Sequence, residues 1–269
     1  MTGAVARRPR ALPAYVAAAG IAARQAWASR AEVVGRAVFY AGIVLIFSRL
    51  WKVVAATGAI GADERGMLWY LAVTEWVLIS IPAVHEDIER DVRTGDVAYA
   101  LSRPRPYLGM RLAEAFGTLS VRLATLGAVG FPLAFALAGG LPDDPRGLPL
   151  AVAIGVVAAA MGVVFQAGIG ILAVWLEDVS PVYWIWQKAA FLLGGLIIPL
   201  SLYPGWLAAV ARWSPFAALL YGPGRLALGF DAGTAAETVA LVTGWTLVAA
   251  LLVRWLYGRA LRVIDVNGG

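Results

Sequence analysis

The chain has 269 residues, is 61% hydrophobic and carries only 14% charge, where a soluble domain carries roughly 25%. It has no cysteine and a single histidine, His85, which excludes disulfides, cysteine-based metal or redox sites and any multi-histidine metal site. The net charge of +5 needs no nucleic-acid partner, because excess Arg in a membrane protein belongs to cytoplasmic loops.

Apolar runs of about 20 residues recur along the chain, each long enough to span about 30 Å of hydrocarbon. The fold class expected is therefore all-α, a polytopic membrane protein with six transmembrane helices. A transmembrane barrel would instead show alternating segments of about 10 residues. Residues 1–32 begin with Arg7, Arg8 and Arg10 and continue into an Ala-rich stretch with Arg24 and Arg30. The basic start resembles a signal peptide, but the weak hydrophobicity favours an amphipathic helix lying in the membrane interface.

Six spans follow within a single transmembrane domain over 33–269, at about 33–55, 66–84, 112–138, 148–176, 182–203 and 235–257. Fifteen of the 22 Lys and Arg fall on one side of this topology, six on the other, and Arg122 within a span. That bias puts both termini in the cytoplasm. Between spans five and six, residues 204–234 hold two apolar stretches fenced by Pro204, Pro215, Gly222 and Pro223. Each is too short to cross, so the segment reads as a re-entrant or interfacial hairpin on the outer side. An aromatic-rich loop is the alternative.

Few residues carry chemistry. There is no Gly-x-x-x-x-Gly-Lys-Ser/Thr phosphate loop, nucleophile elbow or His-Glu-x-x-His. The acid pairs Glu86–Asp87, Asp143–Asp144 and Glu177–Asp178 sit at span ends and read as solvated surface. Glu75 and Arg122 lie deeper, on consecutive antiparallel spans. Charges in hydrocarbon face a cavity or each other, so the two either flank a polar substrate route or form a structural ion pair. Gln166 lies between Gly162 and Gly170 on one helix face, a spacing that suits close helix packing. Trp and Tyr gather at span ends as interfacial anchors. Of these, Trp184 and Trp186 are candidates to face a cavity. His85, at the end of span two, reads as a capping or docking residue.

The loop 85–107 is the densest charged stretch between apolar runs. From Asp91 to Pro104 it reads Asp-Val-Arg-Thr-Gly-Asp-Val-Ala-Tyr-Ala-Leu-Ser-Arg-Pro. This resembles the segment after the second span of bacterial ABC transporter permeases of the ABC-2 type, in the branch where Gly, Leu and Arg-Pro recur at these spacings. Trp213-Ser214-Pro215-Phe216 and Tyr221-Gly222-Pro223 resemble that family's hairpin before the last span. The run from Tyr15 to Trp51 is similar to its amphipathic helix and first span.

The resemblance implies a permease subunit of an exporter in the bacterial plasma membrane, not itself an enzyme. ATP and Mg would be bound by separate ATPase subunits, and a second permease chain would complete a homodimer or heterodimer in the lipid bilayer. It implies that 85–107 is the coupling helix, with Glu86, Asp87, Glu89, Arg90, Asp91, Arg93, Gly95 and Asp96 meeting the ATPase. Leu101, Arg103 and Pro104 would position the return into span three. Polysaccharide-exporting members line their cavity with many aromatics. These spans are richer in Ala, Val and Gly, which counts against a long-glycan cargo, and the cargo expected is amphipathic or hydrophobic, drug-like or lipid. An ATP-independent secondary transporter or channel is the alternative, and the lack of an inverted repeat counts against it.

Overall fold

A computed structural model describes residues 11–56, 64–101, 106–196 and 198–267. Among these the fold is all-helical, with no strand. Helix α1 (Ala11–Ala28) gives way to α2 (Arg30–Ala56) at Ser29, and backbone bonds from Ser29 to Gln25 and from Val33 to Ser29 carry the chain across the join. Helix α3 (Glu64–Ser80) stops before Pro82, which lacks the amide hydrogen a helix needs. The chain bends there and re-forms as α4 (Val84–Thr94). Gly95, with φ of 78°, ends α4 in the left-handed conformation that glycine adopts without a Cβ clash. A short α5 (Asp96–Leu101) follows, and Thr94 Oγ1 donates to Asp96 Oδ2 across the turn at 2.8 Å.

Helix α6 (Tyr107–Ala138) runs to a left-handed Gly139. The loop after it holds Asp144, whose carboxylate accepts from the Arg146 guanidinium and from the Phe230 amide. These partners, Arg146 first, hold its carboxyl well below the usual range. Helices α7 (Leu148–Ile171) and α8 (Ala173–Leu176) are nearly continuous. Then come α9 (Ser180–Leu193), α10 (Gly205–Arg212), a wide π-helical turn at Ala217–Tyr221, α11 (Gly222–Leu228) and the long α12 (Ala232–Asn267).

Five helices among the described residues are long and apolar enough to cross a membrane: Arg30–Val53, Glu64–Thr94, Tyr107–Ala138, Gly147–Leu176 and Ala232–Ile264. They cover the expected spans one to four and six. The expected fifth span, 182–203, is not one helix. Its 14-residue helix α9 is roughly 21 Å long, short of the hydrocarbon thickness of about 30 Å. Gly195 turns the chain with φ of 63°, and Pro199 prevents the helix resuming at once.

Helix α3 is the centre of the bundle, packed by α2, α6, α7 and α11. Residues Met67 to Val77 are all buried. Small residues set these approaches. A Cβ on Gly155 of α7 would stand 2.9 Å from the Trp76 ring, and one on Gly224 of α11 would stand 2.6 Å from the Tyr70 ring. The expected hairpin 204–234 is thus helical, and α11 is embedded against α3 and α7 rather than looping free. Helix α1 lies along α6, with Ala14, Ala18 and Ala22 buried as an i, i+4 stripe. By contrast α2 and α12 present apolar side chains outward, among them Val38, Ile46, Leu247, Leu251 and Trp255.

Candidate functional site

Two places collect the residues singled out from the sequence. One is the charged end-helix α4, and the other is a cavity among α2, α3, α7 and α9.

Helix α4 is amphipathic at the helical period, which gives it one face for the bundle and one for the outside. Val84, His85, Ile88, Glu89 and Asp91 are buried, while Glu86, Arg90, Arg93, Thr94, Gly95 and Asp96 are exposed and Asp87 is half-buried. The inward face packs on α7, and Gly170 lets the two backbones meet. A Cβ there would be 2.8 Å from Ile88 Cβ and 3.0 Å from the His85 backbone. Gly162, two turns earlier in α7, leaves room for the Ile81 side chain, whose Cδ1 would lie 2.6 Å from a Cβ there. Both glycines of this face lie at close contacts, while Gln166 between them meets His85 and lines the cavity. Gly170→Ala is therefore expected to cost about 1–3 kcal/mol by overpacking. Gly244→Ala in α12, with nothing within 4 Å, gains about 0.5–1 kcal/mol from helix propensity. Thermal melting of the two variants side by side checks both signs.

Asp91 anchors α4 on its other flank. Its carboxylate accepts from Tyr107 Oη at 2.6 Å and Arg111 Nε at 2.7 Å, and Arg111 Nη2 lies 2.5 Å away. So Asp91 is spent inside the protein. Glu89 is also nearly buried and holds Arg93 at 3.5 Å. On the outer face Asp87 pairs with Arg90. The eight charged and glycine candidates on this segment therefore split. Glu86, Asp87, Arg90, Arg93, Gly95 and Asp96 form an outward surface, while Asp91 ties the helix to α6 and Glu89 lies buried within α4, paired along it with Arg93. Leu101 closes α5, and Arg103 and Pro104 lie outside the described residues.

The acid pair Glu177–Asp178, expected as plain solvated surface, neighbours this face. The α8–α9 turn brings Glu177 and Asp178 beside Arg93, around an open groove of about 500 Å³. Hydrogen bonds from Ser180, reinforced by the Arg93 charge, hold the Asp178 carboxyl below its ordinary value. Topology carried the signal: the turns after spans two and four emerge on one side.

Arg122 and Glu75 do not pair. Arg122 Nη2 bonds Glu32 Oε1 of α2 at 2.7 Å, and Nη1 donates to the Ile81 carbonyl at 3.2 Å. The reason is rotation about α3. Trp76 takes the position facing α6, where its Nε1 donates to Leu123 O at 2.8 Å. Glu75, one residue and about 100° earlier, is turned away from α6. Its side chain is 5% exposed and lines a cavity of about 380 Å³. Phe39 and Phe47 of α2 and Tyr183 and Trp186 of α9 supply aromatic walls, and Gln166 reaches in from α7. Trp186 thus faces a cavity as the sequence allowed, whereas Trp184 is exposed beneath Lys188.

His85 is neither a cap nor a docking residue on the surface. It is 2% exposed. Its Nδ1 lies 2.9 Å from Gln166 Oε1, and its ring stacks on Tyr183 at 3.8 Å between centroids. Through these contacts the base of α4 touches Gln166 and Tyr183, two residues that line the cavity.

These features define a multi-pass helical membrane protein that carries a charged helix, braced from within, at one end of its bundle. The family described as ABC-2 family transporter protein matches residues 65–268, and the chain belongs to that family. A comparison with curated proteins finds no match. Such permeases are membrane components of transporters, and ABC ATPase subunits typically accompany them.

Proposed function

We propose that this chain is the permease subunit of an ATP-driven exporter in a bacterial plasma membrane. Separate ATPase subunits, which bind ATP and Mg, dock on the outward face of α4 and α5. Both termini lie on that cytoplasmic side. A second permease chain, identical or different, completes the pathway. The sixth crossing is made by α9 together with the turn at Gly195 and the segment that follows. The cargo is amphipathic or hydrophobic, a drug-like compound or a lipid.

The observation that carries this reading is the division of labour on α4, in a chain that belongs to the ABC-2 family. Water asks for polar residues on any exposed helix face, and on α4 that face is joined to an inner face braced by an ion pair to α6. A helix that transmits force needs both a rigid seat and a surface that sets register with a partner. Val84, Ile88 and the Asp91–Arg111 pair supply the seat, and complementary charge supplies the register.

The test is purification of the chain from its native membrane with its companions. A stoichiometric nucleotide-binding subunit is expected. Reversing Arg93 to Glu and Asp96 to Arg together is expected to weaken its retention about tenfold or more, because like-charge juxtaposition costs several kcal/mol. The variant should still elute as a folded species. A chain that purifies alone, with no nucleotide-dependent activity, overturns the proposal.

A further inference from the structure

We infer that the cavity at Glu75 is a binding site for a lipophilic organic monocation, which sharpens the cargo class and rests on the reading of the chain as a transporter subunit. Glu75 is 5% exposed as a residue, lines the cavity, and has no hydrogen-bond or ion-pair partner among the described residues. No Lys or Arg is among the described residues that line the cavity. A lone ionised carboxylate in an apolar wall is costly unless a cation joins it. The described lining places none there, so the ligand is the natural source of the charge.

The rest of the lining says what kind of cation fits. Phe39, Tyr183 and Trp186 present aromatic rings, which attract a cation over their faces. A volume of about 380 Å³ lies within the range of about 300–1,000 Å³ for drug-sized ligands. Inorganic cations are poorly served. Calcium takes about 6–8 oxygens and magnesium a near-octahedral set. Besides Glu75 the wall offers the amides of Gln166 and Gln187, and Gln166 Oε1 already faces His85. One carboxylate among rings matches one positive charge carried on an apolar body.

The test uses the full-length chain in neutral detergent, with whatever subunits accompany it. Equilibrium binding of tetraphenylphosphonium is compared with that of tetraphenylborate, which has the same shape and the opposite charge. The wild-type protein is expected to prefer the phosphonium by roughly 30-fold or more, the scale of losing one partner of a buried charge pair. Glu75→Gln should abolish that preference, and Glu75→Asp should keep it. Equal binding of the two ions by the wild-type chain overturns the inference, as it would if the carboxyl simply held a proton. So does a Glu75→Gln variant that still prefers the cation. If Glu75→Gln does not purify as a single species, the wild-type ratio and Glu75→Asp decide the matter. Subunit composition is read in the same preparation. Absence of an ATPase partner sinks the exporter reading, whereas loss of charge preference with the partner present sinks only the assignment of cargo.

Discussion

Asp91→Ala is expected to lower the stability of the full-length protein by about 3 kcal/mol, the scale of breaking a buried charge pair. Asp91 is 4% exposed, and it satisfies a buried tyrosine hydroxyl and a guanidinium at once. Removing it strands both groups, which costs more than the loss of attraction alone. Thermal unfolding in detergent reads the effect. Arg111→Leu added to Asp91→Ala should recover some of the loss, because the unpaired charge goes with it. Asp91→Asn, which keeps an acceptor for Tyr107, should fall between wild type and alanine. The exposed Arg90→Ala should change stability by no more than about 0.5 kcal/mol. If Arg90→Ala proves as damaging as Asp91→Ala, the inner and outer faces of α4 have been wrongly assigned.

The second large effect concerns α1. A Cβ at Gly117 of α6 would stand 2.1 Å from the Ala19 carbonyl oxygen, and 2.8 and 2.9 Å from its C and Cα atoms. These are backbone atoms, which cannot rotate away as a side chain can. Gly117→Val is therefore expected to separate α1 from α6, at the upper end of the usual overpacking cost of about 1–3 kcal/mol or beyond it. The absence of cysteine gives a clean readout. Ala22→Cys, at a buried position, should resist maleimide labelling in the parent and react readily once Gly117 is Val. Gly42→Val, with open space around it, should leave labelling unchanged. Protection of Cys introduced at 22 in the Gly117→Val background would show that α1 is not held by this contact.

Much of the architecture was legible because membrane helices are written in length and hydropathy. The expected spans at 33–55, 112–138 and 148–176 correspond to α2, α6 and the α7–α8 run. The expected fifth span, 182–203, reads as one helix because hydropathy continues through 194–203, whereas the helix itself ends at Leu193. Gly195 and Pro199 stand in the sequence, but apolar neighbours masked them. The hairpin was legible from its Pro and Gly fences. What it packs against was not, since the α3–α11 contact depends on Gly224 meeting Tyr70 across more than 150 residues of intervening chain.

The site was legible in kind and not in direction. Charge density picked out α4, yet Asp91 looks like Asp87 until the register of Val84, Ile88 and Val92 is laid on a helix. The depths of Glu75 and Arg122 suggested partners, but one residue of rotation decides which neighbour a side chain meets. Trp186 was legible as a candidate for a cavity, but the opposite aromatic wall was not, because Phe39 and Phe47 lie more than 130 positions before Tyr183 and Trp186.

The central place of α3 has a consequence for how the bilayer itself can act on this protein. Sheathed by four other elements, α3 barely touches lipid, whereas α2 and α12 carry their apolar faces outward. A thicker or thinner membrane exerts its mismatch on lipid-facing spans, which tilt or bend to relieve it. Lipid composition therefore acts first on α2, which brings Phe39 and Phe47 to the cavity, and not on the helix that holds Glu75. Membrane thickness would widen or narrow the aromatic side of the pocket around a fixed charge.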